Sequence, residues 1–250
     1  MKLIHKIKEL RQKFQSPLSY GVKSVVLGIL LFLALATGKW FFIAVFVLAG
    51  CYFYFVPNVN SRQFLASFLM ILLFPAFLRQ FLDSGWFLIV SLAYLAIFFV
   101  LLGLKNLIFI NRRPIYCFLN GVLVFAIFSL FFWSDKTNAF FFVKYLSAFF
   151  VFLFLFKEFL NVSSESPGAQ KNNLFAWSVS FLVLQIVWAL SFLPINFLNA
   201  GALTLLIVLI FQDFVSGHLS GSIDRRLILR NITVFIVLAL AIFGASSWSL

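Results

Sequence analysis

Nine apolar runs, at approximately 22–37, 40–56, 63–78, 86–104, 115–133, 139–156, 174–193, 198–213 and 231–248, follow one another with only short polar breaks between them. A helix needs about 20 mostly apolar residues to cross a hydrocarbon core ~30 Å thick, and somewhat fewer when flanking side chains snorkel. Backbone amides in lipid find no water, so such runs fold as helices. The chain is 64% apolar and 10% charged, whereas a soluble domain carries about a quarter charged residues. The expected fold is an all-α polytopic transmembrane bundle of about nine spans.

The break between the first two runs is only Gly38 and Lys39. A single helix through both would be about 50 Å long at 1.5 Å per residue, far more than the hydrocarbon needs, so a hairpin is expected there. The cationic residues test this count, because positively charged loops stay on the cytoplasmic side. With nine spans and a cytoplasmic N-terminus, 15 of the 19 Lys and Arg residues lie inside, and only Lys39, Arg79, Lys136 and Lys144 lie outside. Fusing the first two runs leaves nine against nine, with Lys39 stranded in mid-membrane. The expected topology therefore puts the N-terminus in the cytoplasm and the C-terminus outside.

The first residues, MKLIHKIKELRQKF, place Leu3, Ile4, Ile7, Leu10 and Phe14 on one stripe among basic residues. Residues 1–20 are expected to form a basic amphipathic helix on the cytoplasmic leaflet, and 21–250 a single transmembrane domain. Ala34-Leu35-Ala36 fits a leader-cleavage pattern, but the basic region is too long and a second apolar run follows at once, so a retained span is expected.

The net charge of +12 belongs to this membrane argument. Nucleic-acid binding would need a basic patch on a folded soluble face, and the basic residues lie instead in short breaks. The expected partners are the bilayer, its anionic lipid headgroups and other membrane proteins. Cys51 and Cys117 sit in or beside apolar runs without metal-ligand spacing. No phosphate loop, dinucleotide fingerprint, zinc helix or nucleophile elbow is present. No catalytic residue, metal or cofactor is assigned.

Polar residues within the runs are few. Gln185 lies near the middle of the seventh run, Asn120 about a turn into the fifth and Lys144 six residues from the start of the sixth. Each is expected to join helices or snorkel, and would line a pathway in a transporter. All seven acids are placed in breaks or at span ends. Ala93 with Ala96, and Ala241 with Ala245, are expected to mark faces where helices meet. Trp40, Trp86, Trp133 and Trp248 mark expected outer ends and Trp177 an inner end, while Trp188 is expected to pack on a neighbouring helix.

The stretch FQDFVSGHLSGSIDRRLILRN gathers Asp213, His218, Asp224, Arg225, Arg226 and Arg230. The arginines, with Arg112 and Arg113 from another inner break, are candidate ligands of anionic lipid headgroups. Asp213, His218 and Asp224 would serve acid–base or metal chemistry only if Gly217 turned the chain, because positions five apart on a helix differ by about 140°. The expected function is a non-enzymatic accessory or scaffold component of a bacterial inner membrane. A small-molecule transporter or lipid flippase is the alternative, and an intramembrane lipid-modifying enzyme the second.

Overall fold

The computed structural model describes residues 17–56, 63–78, 84–106, 108–135, 141–163, 169–221 and 224–245. Most of the interfacial helix expected over 1–20 lies outside the described residues, as does Trp248. Among the described residues there are nine α-helices and no strand: α1 Pro17–Thr37, α2 Trp40–Phe55, α3 Leu65–Leu78, α4 Phe87–Lys105, α5 Arg112–Asp135, α6 Phe141–Ser163, α7 Ala169–Ser191, α8 Phe197–Leu219 and α9 Arg225–Ala245. A 3-10 turn, Ser84–Trp86, leads into α4. Six of the helices, α1 and α4 to α8, are long and apolar enough to cross a membrane; α2, α3 and the apolar part of α9 are shorter.

The helices are apolar on their outer faces as well as in the core. Phe41, Leu48, Phe118, Phe142, Phe181 and Leu240 face outward, while Ser24, Ser91 and Thr204 are buried. These hydroxyls donate back to carbonyls four residues earlier, at 2.9 Å, 2.7 Å and 2.9 Å, so none is left orphaned in an apolar interior.

The chain divides into two compact units, Met1–Ile115 and Tyr116–Leu250. In the first, α1 packs along both α2 and α4. The break at Gly38 is a true turn: φ is +66°, a left-handed conformation that glycine adopts without a β-carbon clash, and its N–H donates to Ala34 at 3.1 Å. α3 carries Pro75 inside it. Proline has no N–H, so the carbonyl four residues before it, that of Ile71, loses its helical donor. The hydroxyl of Tyr94 on α4 donates to that same carbonyl, which repairs the gap from a neighbouring helix.

In the second unit α6 packs on α7, and α8 on α7 and α9. Phe128 meets Phe152, and Trp133 meets Phe197 edge-on at 4.3 Å, tying α5 to α6 and α8. Gly201 is where α8 approaches α5 most tightly: a β-carbon there would collide with the hydroxyl and backbone of Ser129.

Three local expectations change. α6 runs on through Lys157 and Glu158 to Ser163 because Phe159 and Leu160 continue its buried stripe, so Glu158 lies inside a helix and not in a break. α8 likewise continues past Asp213, with Val215 and Gly217 buried, and the chain turns only at Gly221. Trp188 is exposed and stacks edge-on against Phe192, one turn along the same chain, and not on a neighbouring helix.

Candidate functional site

Buried within the second unit is a chain of hydrogen bonds through three helices. The Tyr116 hydroxyl on α5 donates to Glu158 Oε1 on α6 at 2.9 Å. Asn120, one turn further along α5, donates from Nδ2 to the Tyr116 oxygen and to the Leu155 carbonyl, each at 3.4 Å. Its Oδ1 accepts from Gln212 Nε2 of α8 at 2.8 Å. All four side chains are buried, and Asn120 is fully enclosed. A carboxyl group taken from water is tolerated only when its oxygens find donors, and Tyr116 supplies one.

Of the candidate intramembrane polar residues, Asn120 thus sits at the centre of this network. Gln185 does not join it: the side chain is exposed on the surface of α7. Lys144 is half-buried, and its ammonium donates to the carbonyl of Ser134 in the last turn of α5. There the final carbonyls lack helical partners and the helix dipole is negative.

The first unit repeats this device. Lys105, the last residue of α4, is completely buried, donates to the carbonyl of Tyr54 at the end of α2, and lies 4.3 Å from the centre of the Tyr54 ring. That ring stacks on Phe68 at 3.9 Å. Lys105 directly follows the fourth apolar run and closes α4, where the Tyr54 carbonyl and aromatic face receive the cation.

The charged stretch after α8 is open to solvent. Arg230 and Asp213 pair at 3.3 Å with both side chains exposed. His218 is exposed, with its ring edge-on to Phe175 at 5.5 Å, and Asp224 is exposed beyond the turn. Among the described residues no three His, Cys, Asp or Glu side chains are placed to hold a metal ion. Arg225 and Arg226 are exposed at the start of α9; Arg113 is exposed and Arg112 half-buried at the start of α5, in the other unit.

Glu158, Tyr116, Gln212 and Lys105 carry the polar architecture without having been singled out in the sequence. A usable signal was the i, i+4 pair Tyr116 and Asn120 on an otherwise apolar stretch, since such residues share a helix face.

No curated protein and no solved structure matches this chain. Residues 121–245, half of the chain and the part that holds Glu158, Gln212 and the Asp213–Arg230 pair, match a family described as proteins of unknown function, DUF5656, and the chain belongs to that family.

Proposed function

We propose that this chain is a non-enzymatic accessory or scaffold component of a bacterial inner membrane. It crosses nine times, with the N-terminal side in the cytoplasm and the end of α9 outside. The lopsided distribution of Lys and Arg supports that direction. α2, at 16 residues, spans about 24 Å at 1.5 Å per residue, a shortfall that local thinning of the bilayer and flanking side chains accommodate.

The observation that carries the scaffold reading is the separation of Asn120 from Gln185. A transport pathway would bring the two to one polar space, whereas Asn120 is sealed among Tyr116, Leu155 and Gln212 and Gln185 faces outward. Buried amides and a carboxyl group joined in this way fix one packing of α5, α6 and α8, a role that buried polar networks fill in apolar bundles. Glu158 favours the transporter as second reading, since ionisable groups inside membranes often serve proton or ion movement.

The deciding experiment is chemical cross-linking in native membranes followed by affinity purification of the full chain. A scaffold yields a reproducible set of membrane-protein neighbours in fixed ratio. A chain recovered alone, combined with proton flux in proteoliposomes that Glu158→Gln abolishes, overturns the scaffold in favour of the transporter.

A further inference from the structure

Between α7, α8 and α9 runs an open apolar groove of about 360 Å³, lined by Ile186 from α7, Ile207, Ile210 and Phe214 from α8, and Asn231 and Phe235 from α9 among others. That volume falls within the roughly 300–1,000 Å³ of clefts that hold small ligands. One lining group is out of character. Asn231 is only 6% exposed, and its Nδ2 meets no acceptor among the described residues. A buried amide without a partner carries its full desolvation penalty, so the groove lacks one hydrogen-bond acceptor.

The groove also has a direction. Its lining runs backward along α8 from Phe214 to Ile207 and forward along α9 from Asn231 to Phe235. Both paths lead away from the same place, the Asp213–Arg230 pair, whose members immediately precede Phe214 and Asn231 in the chain. Arg226 lies four residues before Arg230 on α9, on the same face, and Arg225 beside it; all three arginines are exposed. They outnumber the carboxylates of Asp213 and Asp224 in this segment. From the surface inward the order is guanidinium groups, one unmet amide donor, then hydrocarbon.

We propose that this groove holds one acyl chain of an anionic phospholipid, with the phosphate against Arg226 and Arg230 and a glycerol ester carbonyl accepting from Asn231 Nδ2. A phospholipid presents the complementary series in the same order: an anion, ester oxygens just beneath it, then a tail. Arginine suits the phosphate because its planar fork donates two parallel hydrogen bonds. A helix from a second copy would leave the Asn231 amide unmet, and a free phosphate would leave the groove unfilled. The assignment rests on the membrane reading and not on the scaffold role.

The test uses the full chain, delipidated in detergent micelles, titrated with phosphatidylglycerol or phosphatidylcholine and read by native mass spectrometry. One phosphatidylglycerol binds about tenfold more tightly than phosphatidylcholine, and Arg226→Gln with Arg230→Gln removes that preference. Asn231→Leu lowers phosphatidylglycerol affinity roughly five- to tenfold, the worth of one hydrogen bond to the ester, yet raises the melting temperature of the lipid-free protein, since an unpartnered amide is gone. Ile210→Trp, which fills the groove, abolishes the bound lipid. Should Ile210→Trp fail to fold, Asn231→Leu alone decides. Equal binding of the two lipids, unchanged affinity in Asn231→Leu, or Ile210→Trp converting a dimer to a monomer with lipid binding intact overturns the proposal. None of these results alters the cross-linking outcome, so the two readings fail separately.

Discussion

Gln212 on α8 donates to Asn120 on α5 across 2.8 Å, joining positions 92 residues apart through a contact closed on all sides. Removing one partner strands the other, so Gln212→Leu and Asn120→Leu each destabilise the protein by about 1–3 kcal/mol. The double variant costs less than the two added together. Denaturant unfolding of the four proteins in detergent measures the difference. Strict additivity would mean that the bond contributes nothing to the fold. Within the same network, Glu158→Gln keeps an acceptor for Tyr116 and stays near wild-type stability, whereas Glu158→Leu falls by about 1–3 kcal/mol.

Tyr94 and Pro75 form a second testable pair. Tyr94→Phe leaves the Ile71 carbonyl without the donor that Pro75 denies it, at a cost of about 1–3 kcal/mol. Pro75→Ala restores a backbone N–H four residues on, so adding it to Tyr94→Phe recovers most of the loss. Thermal melting of both single variants and the double variant decides; no recovery would mean that the hydroxyl acts on something else.

Gly201 and Gly121 separate contact from conformation. Gly201→Ala drives a methyl group into Ser129 and destabilises by about 1–3 kcal/mol through overpacking. Gly121→Ala meets only the end of Leu205, at 3.9 Å, and alters stability by less than about 0.5 kcal/mol or raises it slightly. Melting temperatures in matched detergent provide the comparison.

The proposed nine-crossing topology is open to single-cysteine labelling in a background lacking Cys51 and Cys117. Lys39→Cys and Gly244→Cys react with a membrane-impermeant maleimide from outside intact cells. Arg113→Cys and Arg226→Cys react only after permeabilisation. Labelling of Lys39→Cys and Gly244→Cys from opposite sides would reduce the crossings to an even number.

The helices themselves were legible because each apolar run is an uninterrupted helix-length signal, and the nine runs overlap the nine described helices closely, six of them of spanning length. Which way each helix faces was not. On a helix apolar all round, no stripe distinguishes the contact side from the lipid side, so Gln185 drew attention and points outward while Gln212 stayed unremarked and is buried. Ala93 and Ala96 are exposed, and the contact face of α4 is instead Ser91, Tyr94 and Phe98. Charges misled in a different way. Dividing the chain at Glu158 treats a charge as the end of a helix, whereas the Tyr116 hydroxyl, remote in sequence, makes it tolerable inside α6.

The bond from Tyr94 to Ile71 bears on biogenesis. Released alone from a translocon into lipid, α3 would carry a naked carbonyl beside its proline, and no group of its own could quench it. The fourth segment brings the missing hydroxyl, so the two are best handed to the bilayer together, as a pair whose later member completes the earlier one.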